Sequence, residues 1–171
     1  YVASTTRRKA GDLDIREHRL WIPDDVGLTS PADKLAFYQR ELAPGKLKAG
    51  RGSLKDHNKD GSVDWKDLTF HQERIYKLTD TDRDGVADKI TVFAEGFNSP
   101  VSGIAAGVLY FDGWVYVTAI PDVWRLKDTD GDGVADVKEI IATGFGGHIA
   151  YAGHDMHGLR LGPDGRIYWT V

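Results

Sequence analysis

The chain has 171 residues, of which 41% are hydrophobic and 28% are charged, and its formal net charge is −4. This composition is that of a globular chain long enough to bury a core, and it excludes a disordered tail. Because the chain has no cysteine, it holds no disulfide, no cysteine-based zinc site and no covalently attached haem. No apolar run is long enough to span a bilayer and no signal segment opens the chain, so we expect any export signal to lie upstream.

Acidic residues are concentrated in three short loops. Residues 56–67, 80–91 and 128–139 hold half of the 26 acidic residues but few of the 22 basic ones. A nucleic-acid-binding surface needs clustered Lys and Arg, so we expect no nucleic-acid partner. The local negative charge favours the binding of cations instead.

The chain opens on a stretch that matches two later strands. YVAST (1–5) fits the same place as VYVTA (115–119) and IYWTV (167–171), which are rich in β-branched and aromatic residues. We therefore expect the chain to begin and end inside the same kind of strand, as a fragment of a larger domain cut at both ends.

A helix is predicted next, over residues 31–43. Ser30, Pro31 and Asp33 form an N-cap, a proline at the first helical position and the acid of a capping box, and apolar residues follow at helical spacing. The whole span 6–70 interrupts the β pattern. We interpret it as an insertion between two strands.

An internal repeat of about 50 residues covers the rest of the chain. Residues 75–97 align with 123–145 at an offset of 48 with nothing inserted, and DGWVYVT (112–118) recurs as DGRIYWT (164–170). Each unit contains a strand, an acidic turn, a second strand, a connection, and two strands around an Asp–Gly turn. Four short strands in this order are typical of a β-propeller blade.

The sequence therefore predicts an all-β fold: a partial β-propeller of four-stranded antiparallel blades, with calcium-loop hairpins and one inserted helix. Residues 1–171 would be one fragment of a propeller domain, with blades at 71–120 and 121–171. The predicted outer hairpins are 72–78 with 88–94 and 122–127 with 137–143, and the predicted inner strands are 103–110, 113–120, 156–161 and 165–171.

The acidic loops have the spacing of a calcium-binding loop. In DTDGDGVADVKE (128–139), side-chain oxygens occur at positions 1, 3, 5 and 9, and a glycine at position 6 turns the carbonyl of position 7 inward. The predicted ligands in the three loops are Asp56, Asn58, Asp60, Ser62 and Asp64; Asp80, Asp82, Asp84, Val86 and Asp88; and Asp128, Asp130, Asp132, Val134 and Asp136.

The sequences that flank two of these loops are strand-like, which disfavours an EF-hand. Position 12 is Asp67, Thr91 or Glu139, and a Thr cannot act as a bidentate carboxylate, so position 12 need not be a ligand. We interpret the loops as calcium-clasped hairpin turns. The alternative is that they are solvated Asp–Gly turns without a metal, because Asp and Gly favour turns anyway.

Two histidines, His154 and His157, stand just before the last predicted hairpin. Two histidines alone make a poor metal site, and on an extended segment this spacing puts them on opposite faces. The other histidines are expected to be surface or structural residues; they are His18, His57, His71 and His148.

The run DTDGDGVADVKEIIATGF and the closing GHDMHGLRLGPDGRIYWTV resemble the β-propeller domain of planctomycete-type membrane-bound dehydrogenases, which often carry a C-terminal c-type haem domain. LDIREH (13–18), the helical insertion and residues 92–104 and 120–133 extend the resemblance over nearly the whole chain. The motif H-x7-GPDG, from His154 onward, is also similar to soluble quinoprotein sugar dehydrogenases.

The resemblance implies that His154 is a base beside pyrroloquinoline quinone in the full-length protein, and takes the hydroxyl proton of a sugar or alcohol. It also implies an extracytoplasmic location, periplasmic or at the cell surface, and electron transfer to a c-type cytochrome or a larger membrane-associated complex. The basic residues that would bind the carboxylates of the quinone belong to later blades, so this fragment alone is expected to be inactive.

Three functions are consistent with these features. The first is a part of a quinoprotein-type dehydrogenase, and the second is a calcium-stabilised, non-catalytic propeller that binds a partner or serves as a scaffold subunit. The third, a dockerin-like array of calcium loops, is disfavoured because the loops here lie between strands about 50 residues apart. Fold resemblance alone does not decide among them.

Overall fold

A computed structural model describes residues 1–8, 10–47, 54–151 and 155–171. Antiparallel strands dominate these ranges, which confirms the all-β prediction. None of the helices there combines the length and apolarity that a membrane span needs. The strands are β1 (Val2–Ser4), β2 (Glu73–Thr79), β3 (Lys89–Phe97), β4 (Ala105–Phe111), β5 (Trp114–Ala119), β6 (Asp122–Lys127), β7 (Val137–Thr143), β8 (His157–Leu161) and β9 (Ile167–Thr170).

The strands form three antiparallel sheets. The first sheet has the order β1-β2-β3, the second β4-β5-β6-β7 and the third β8-β9. The four hairpins predicted from the repeat are present, but the predicted units 71–120 and 121–171 do not coincide with sheets. Instead, β2 and β3 pair with β1, whereas β4 and β5 belong to the sheet of β6 and β7.

Strand β1 occupies the same place in the first sheet as β5 in the second. Val2 lies opposite Tyr76 in the same way that Val117 lies opposite Trp124. This register aligns residues 1–5 with 116–120, one residue away from the predicted alignment with 115–119. The difference matters because a shift of one residue would turn every side chain of a strand to the other face of its sheet.

The second sheet shares a hydrophobic core with each of the other two. The core shared with the first sheet contains Ile75, Phe93 and Phe97 from that sheet and Val117 and Leu126 from the second. A separate, smaller core joins the second sheet to the β8–β9 region; its members include Val123, Phe145, Met156 and Trp169. The order of packing along the molecule is therefore first, second and third sheet.

The insertion between β1 and β2 is helical and has its own core. Helix α1 (Ile22–Asp25) is short, and α2 (Pro31–Glu41) is the helix predicted from the capping signals, with the Asp33 N–H donating to Ser30 Oγ over 3.1 Å. Single 3₁₀ turns at Ile15–Glu17, Arg19–Trp21 and Trp65–Thr69 were not predicted. The core of the insertion includes Leu13, Phe37, Tyr38, Leu42, Leu54 and Leu68.

A fully buried arginine fixes the insertion to the sheets. The guanidinium of Arg7 donates hydrogen bonds of 2.6 to 3.1 Å to main-chain carbonyls, and the Glu73 carboxylate accepts from the N–H groups of Arg7 and Ala105. These contacts connect the start of the insertion, its end, and the loop before β4. The carbonyl acceptors belong to Gly11, Leu68, His71, Ser99 and Ser102.

Candidate cation-binding loops

Two of the three acidic loops are hairpin turns, as predicted. Loop 80–88 connects β2 to β3 and loop 128–136 connects β6 to β7. The prediction of a hairpin is wrong for loop 56–64, which lies inside the insertion and leads into the 3₁₀ turn Trp65–Thr69. Its Asp64 is the N-cap of that turn, and this explains why a loop of similar sequence can occur without flanking strands.

Loop 128–136 is folded around its own carboxylates. Asp128 accepts hydrogen bonds from the N–H groups of Gly131 and Gly133, over 2.7 and 3.0 Å. Asp136 accepts from the main chain and hydroxyl of Thr129, which lowers the pKa of its carboxyl. The residues at positions 4 and 6 both have positive φ angles, of 86° and 97°, which glycine adopts without strain.

Loop 80–88 repeats this geometry with one strained residue. Asp80 accepts from the N–H groups of Gly85 and Arg83, over 2.9 and 2.7 Å, and these bonds lower the pKa of its carboxyl. Arg83 takes the place of the glycine at position 4 and has a φ of 64°, in the left-handed region. The main chain of loop 80–88 thus follows the same path as that of loop 128–136, although arginine adopts a positive φ angle less readily than glycine.

In loop 56–64 the residue at position 12 has a structural role. The buried Asp67 carboxylate accepts from the N–H groups of His57, Asn58 and Asp64, over 2.8 to 3.1 Å. In the two hairpin loops, the N–H of position 2 donates to the aspartate at position 9, which is Asp88 or Asp136, and not to the residue at position 12. In the loop that ends at β7, Glu139 at position 12 pairs with Arg125 over 2.6 Å.

The hairpin loops each bring three carboxylates together. One oxygen from each of Asp80, Asp82 and Asp84 lies within 4.8 Å of the other two, and the same holds for Asp128, Asp130 and Asp136. Within the described part of the chain, no such group forms in loop 56–64. The fourth aspartate of each hairpin loop is not part of its group; it is Asp88 in loop 80–88 and Asp132 in loop 128–136. Each of these carboxylates accepts a hydrogen bond from the main chain of its own loop.

Loop 128–136 differs from loop 80–88 in its contacts with the first sheet. The Ala135 N–H donates to the Phe93 carbonyl over 2.8 Å, and Lys77 Nζ lies 3.5 Å from Asp128 Oδ2. A Cβ built on the buried Gly133 would lie 3.6 to 3.9 Å from the side chain of Thr91. Any cation bound in this loop would therefore stabilise a contact between two sheets.

Sequence reasoning missed the partners of four histidines. His57 and His71 face each other with 3.2 Å between ring nitrogens, His18 stacks on Trp21, and His148 lies 2.8 Å from the Asp25 carbonyl. These histidines and their partners lie in turns and loops, which have no regular hydrophobic periodicity. No periodic pattern in the sequence therefore indicates the contacts. These contacts support the structural role that was expected for these histidines.

The predicted base, His154, lies outside the described residues. On the next strand, His157 Nδ1 lies 2.9 Å from the carbonyl of Asp155. The buried Asp155 carboxylate accepts from the Ile104 N–H over 2.6 Å, and burial raises the pKa of this carboxyl. This bond joins the segment before β8 to the segment before β4.

The buried cations that interact with Asp155 are not available to the carboxylates of pyrroloquinoline quinone. The cations that act on the charge of Asp155 are Lys34 and Arg7, and both are buried. Arg7 is engaged with main-chain carbonyls, and Lys34 Nζ donates to the Gly146 carbonyl over 3.4 Å. Neither cation is therefore free to bind an anionic cofactor.

Comparisons with known proteins give a family but no activity. No curated protein and no solved structure matches the chain. Residues 38–171 match the model of a family described as Domain of unknown function (DUF7133). Because this match spans more than half of the 171 residues, the chain belongs to that family.

Proposed function

We propose that the chain is a segment of a β-propeller in which Ca²⁺ clasps the hairpin loops, and that it serves as a binding or scaffold unit. The observation that carries this proposal is the repeated fold of loops 80–88 and 128–136 at equivalent hairpins of two packed sheets. The four-stranded meander of β4 to β7 supports the idea of a propeller blade. Further blades of the same protein would be the first partners.

Three carboxylates that converge within one loop favour a hard cation. Oxygen is the ligand that Ca²⁺ prefers, and carboxylates so close together repel one another when they are ionised. Hydrogen bonds from the main chain offset part of this repulsion, which is why the loops could also exist as plain Asp–Gly turns. A titration distinguishes the two possibilities.

The test compares Asp130→Asn with Asp82→Asn, two changes at position 3 of equivalent loops. Calcium should raise the Tm of the parent protein by several degrees and a chelator should reverse the increase, because about 1 kcal/mol shifts the Tm of a protein of this size by roughly 2–4 °C. Asp130→Asn should remove more of the increase than Asp82→Asn, since loop 128–136 is the one hydrogen-bonded to the neighbouring described sheet. Calorimetric titration of the parent protein with calcium gives the number of binding sites. A Tm that changes neither with calcium nor with chelator would rule out calcium binding by the hairpin loops.

A second proposal is the quinoprotein-type dehydrogenase that the resemblance implies. It rests on the motif of His154 followed by Gly162-Pro163-Asp164-Gly165, and it places the protein outside the cytoplasm, where a c-type cytochrome could accept electrons. In a full-length protein that oxidises a sugar or alcohol with pyrroloquinoline quinone, His154→Ala should abolish turnover, while His148→Ala should preserve it. Equal turnover of both variants would remove the catalytic assignment and favour the scaffold.

A further inference from the structure

One face of the first sheet is apolar and exposed. Val2 is 50% exposed, Leu78 42% and Ile90 67%, and with Tyr76 they line a shallow groove of about 270 Å³. The cross-strand register places these side chains on one face, because Val2 is opposite Tyr76 and Leu78 is opposite Ile90. Ile75 and Phe93 point to the other face, into the core shared with the second sheet.

The internal repeat shows what covers the equivalent face in the second sheet. By sequence offset and register, Leu78 corresponds to Leu126 and Val2 to Val117. Both counterparts are 0% exposed, because they are buried in the core shared with the first sheet. The first sheet therefore presents, uncovered, the same surface that the second sheet buries against a neighbour.

We propose that this exposed face is a stacking surface for a further antiparallel sheet of the same repeat, supplied by the same polypeptide. The assignment rests on the propeller arrangement proposed above, but neither on calcium nor on catalysis. An apolar face of this kind on a folded protein marks a contact surface. The contact already present between the first and second sheets defines the chemistry of the occupant.

The occupant should present apolar side chains at the positions of Ile75, Phe93 and Phe97, since these residues cover the face of the second sheet. It should also offer a main-chain carbonyl to the N–H of Ala87, as Phe93 does to Ala135. A lysine equivalent to Lys77 would approach Asp80, in the way that Lys77 approaches Asp128 over 3.5 Å. Loop 80–88 would then be clamped to its neighbour like loop 128–136.

The free edge of β1 favours a sheet of the same polypeptide over a second copy of this chain. In the second sheet, β5 pairs with β4 on the side where β1 has no neighbour among the described strands. A covalently continuous repeat would supply that strand and the covering hairpin together. A second copy would cover the face and leave this edge unpaired.

The repeat itself provides the test. Residues 72–115 are duplicated and joined to Tyr1, since Tyr1 corresponds to Tyr116 in the observed register. The duplicated β4 should pair with β1, and the duplicated β2 and β3 should cover the exposed face. The matched control extension carries serine in place of the duplicated copies of Ile75, Phe93 and Phe97.

The readout is maleimide labelling of Leu78→Cys in a chain that has no other cysteine, with Val26→Cys, at 74% exposure, as the reference. Without an extension, both introduced thiols should react at similar rates. The duplicated segment should slow labelling of the Leu78→Cys variant roughly tenfold or more, because reaction then requires local opening, and the control extension should not. Calcium binding, measured on the same samples, reports separately on the clasp.

Two results would overturn the proposal. One is labelling of the Leu78→Cys variant at the same rate with the duplicated segment and with its serine control. The other is protection of this thiol in the unextended chain that grows with protein concentration, together with a mass above 18.9 kDa in solution. That second result would assign the face to another copy of the chain.

Discussion

Replacing Arg7 with methionine is expected to lower the free energy of unfolding by about 3–5 kcal/mol, which is the usual cost of breaking a buried charge network. The guanidinium donates to five main-chain carbonyls, two of them from the loop before β4. Methionine fills a similar volume but donates no hydrogen bond, so these buried acceptors would be left without their donor. The carboxylate of Glu73 would also lose a compensating charge.

The size of this effect can be checked by urea denaturation against two reference variants. Arg7→Lys keeps the charge but not the planar fork of donors, and should fall between the parent and Arg7→Met. Arg166→Met removes an arginine whose side chain is 81% exposed and should leave the midpoint unchanged. Since domains are stable by only about 5–15 kcal/mol, Arg7→Met is expected to lose a large part of the total free energy of unfolding. An Arg7→Met protein as stable as Arg166→Met would show that the insertion is held mainly by its apolar core.

The role of Arg7 marks the limit of what the sequence predicts. The strands and hairpin loops were predictable because their signals are local: alternating apolar residues, Asp–Gly turns, and a repeat with an offset of 48. The partners of Arg7 are carbonyls 4 to 95 positions away, and a carbonyl has no sequence signature. An arginine among polar neighbours in the sequence therefore gives no indication that it is buried.

The three acidic loops show how much the spacing of acidic residues predicts and how much it does not. Spacing correctly identified the acidic turns, and the structure brings together Asp80, Asp82 and Asp84 in the first hairpin. Loop 56–64 has similar spacing but forms no such group among the described residues, because its position 3 is Asn58 and not an aspartate. The spacing of the acidic residues predicts the turn, whereas the residue type at each position decides whether three carboxylates converge there.

Burial of Asp12 should make the stability of the protein depend on pH near neutrality. Asp12 lies in the insertion and is 6% exposed, and its pKa is raised to about 7 by burial and by the neighbouring carboxylate of Asp155. Lys34 and Arg7 act in the opposite direction, while Asp14 adds to the increase. The raised pKa shows that burial and carboxylate repulsion outweigh the attraction of the two cations.

The direction of the pH dependence follows from proton binding. A raised pKa means that the folded state holds the Asp12 proton more tightly than the unfolded state does, so this group favours folding most at acidic pH. The contribution declines as the pH rises from about 4 towards 7 and is lost above the folded pKa of about 7. Within this window, the free energy of unfolding should fall with rising pH wherever no other group compensates.

Asp12→Asn isolates this contribution, because an amide has nearly the same shape and no charge to bury. At pH 8 the variant should be more stable than the parent by on the order of 1–3 kcal/mol, and at pH 4 the two should be nearly equal. Asp24→Asn, at a side chain that is 55% exposed, controls for the change in net charge. Urea unfolding of the three proteins between pH 4 and 8 measures the difference. A constant difference between Asp12→Asn and the parent across this range would mean that the pKa of Asp12 is not raised by folding. A variant less stable than the parent at pH 8 would mean that Lys34 and Arg7 stabilise the Asp12 anion by more than its burial costs.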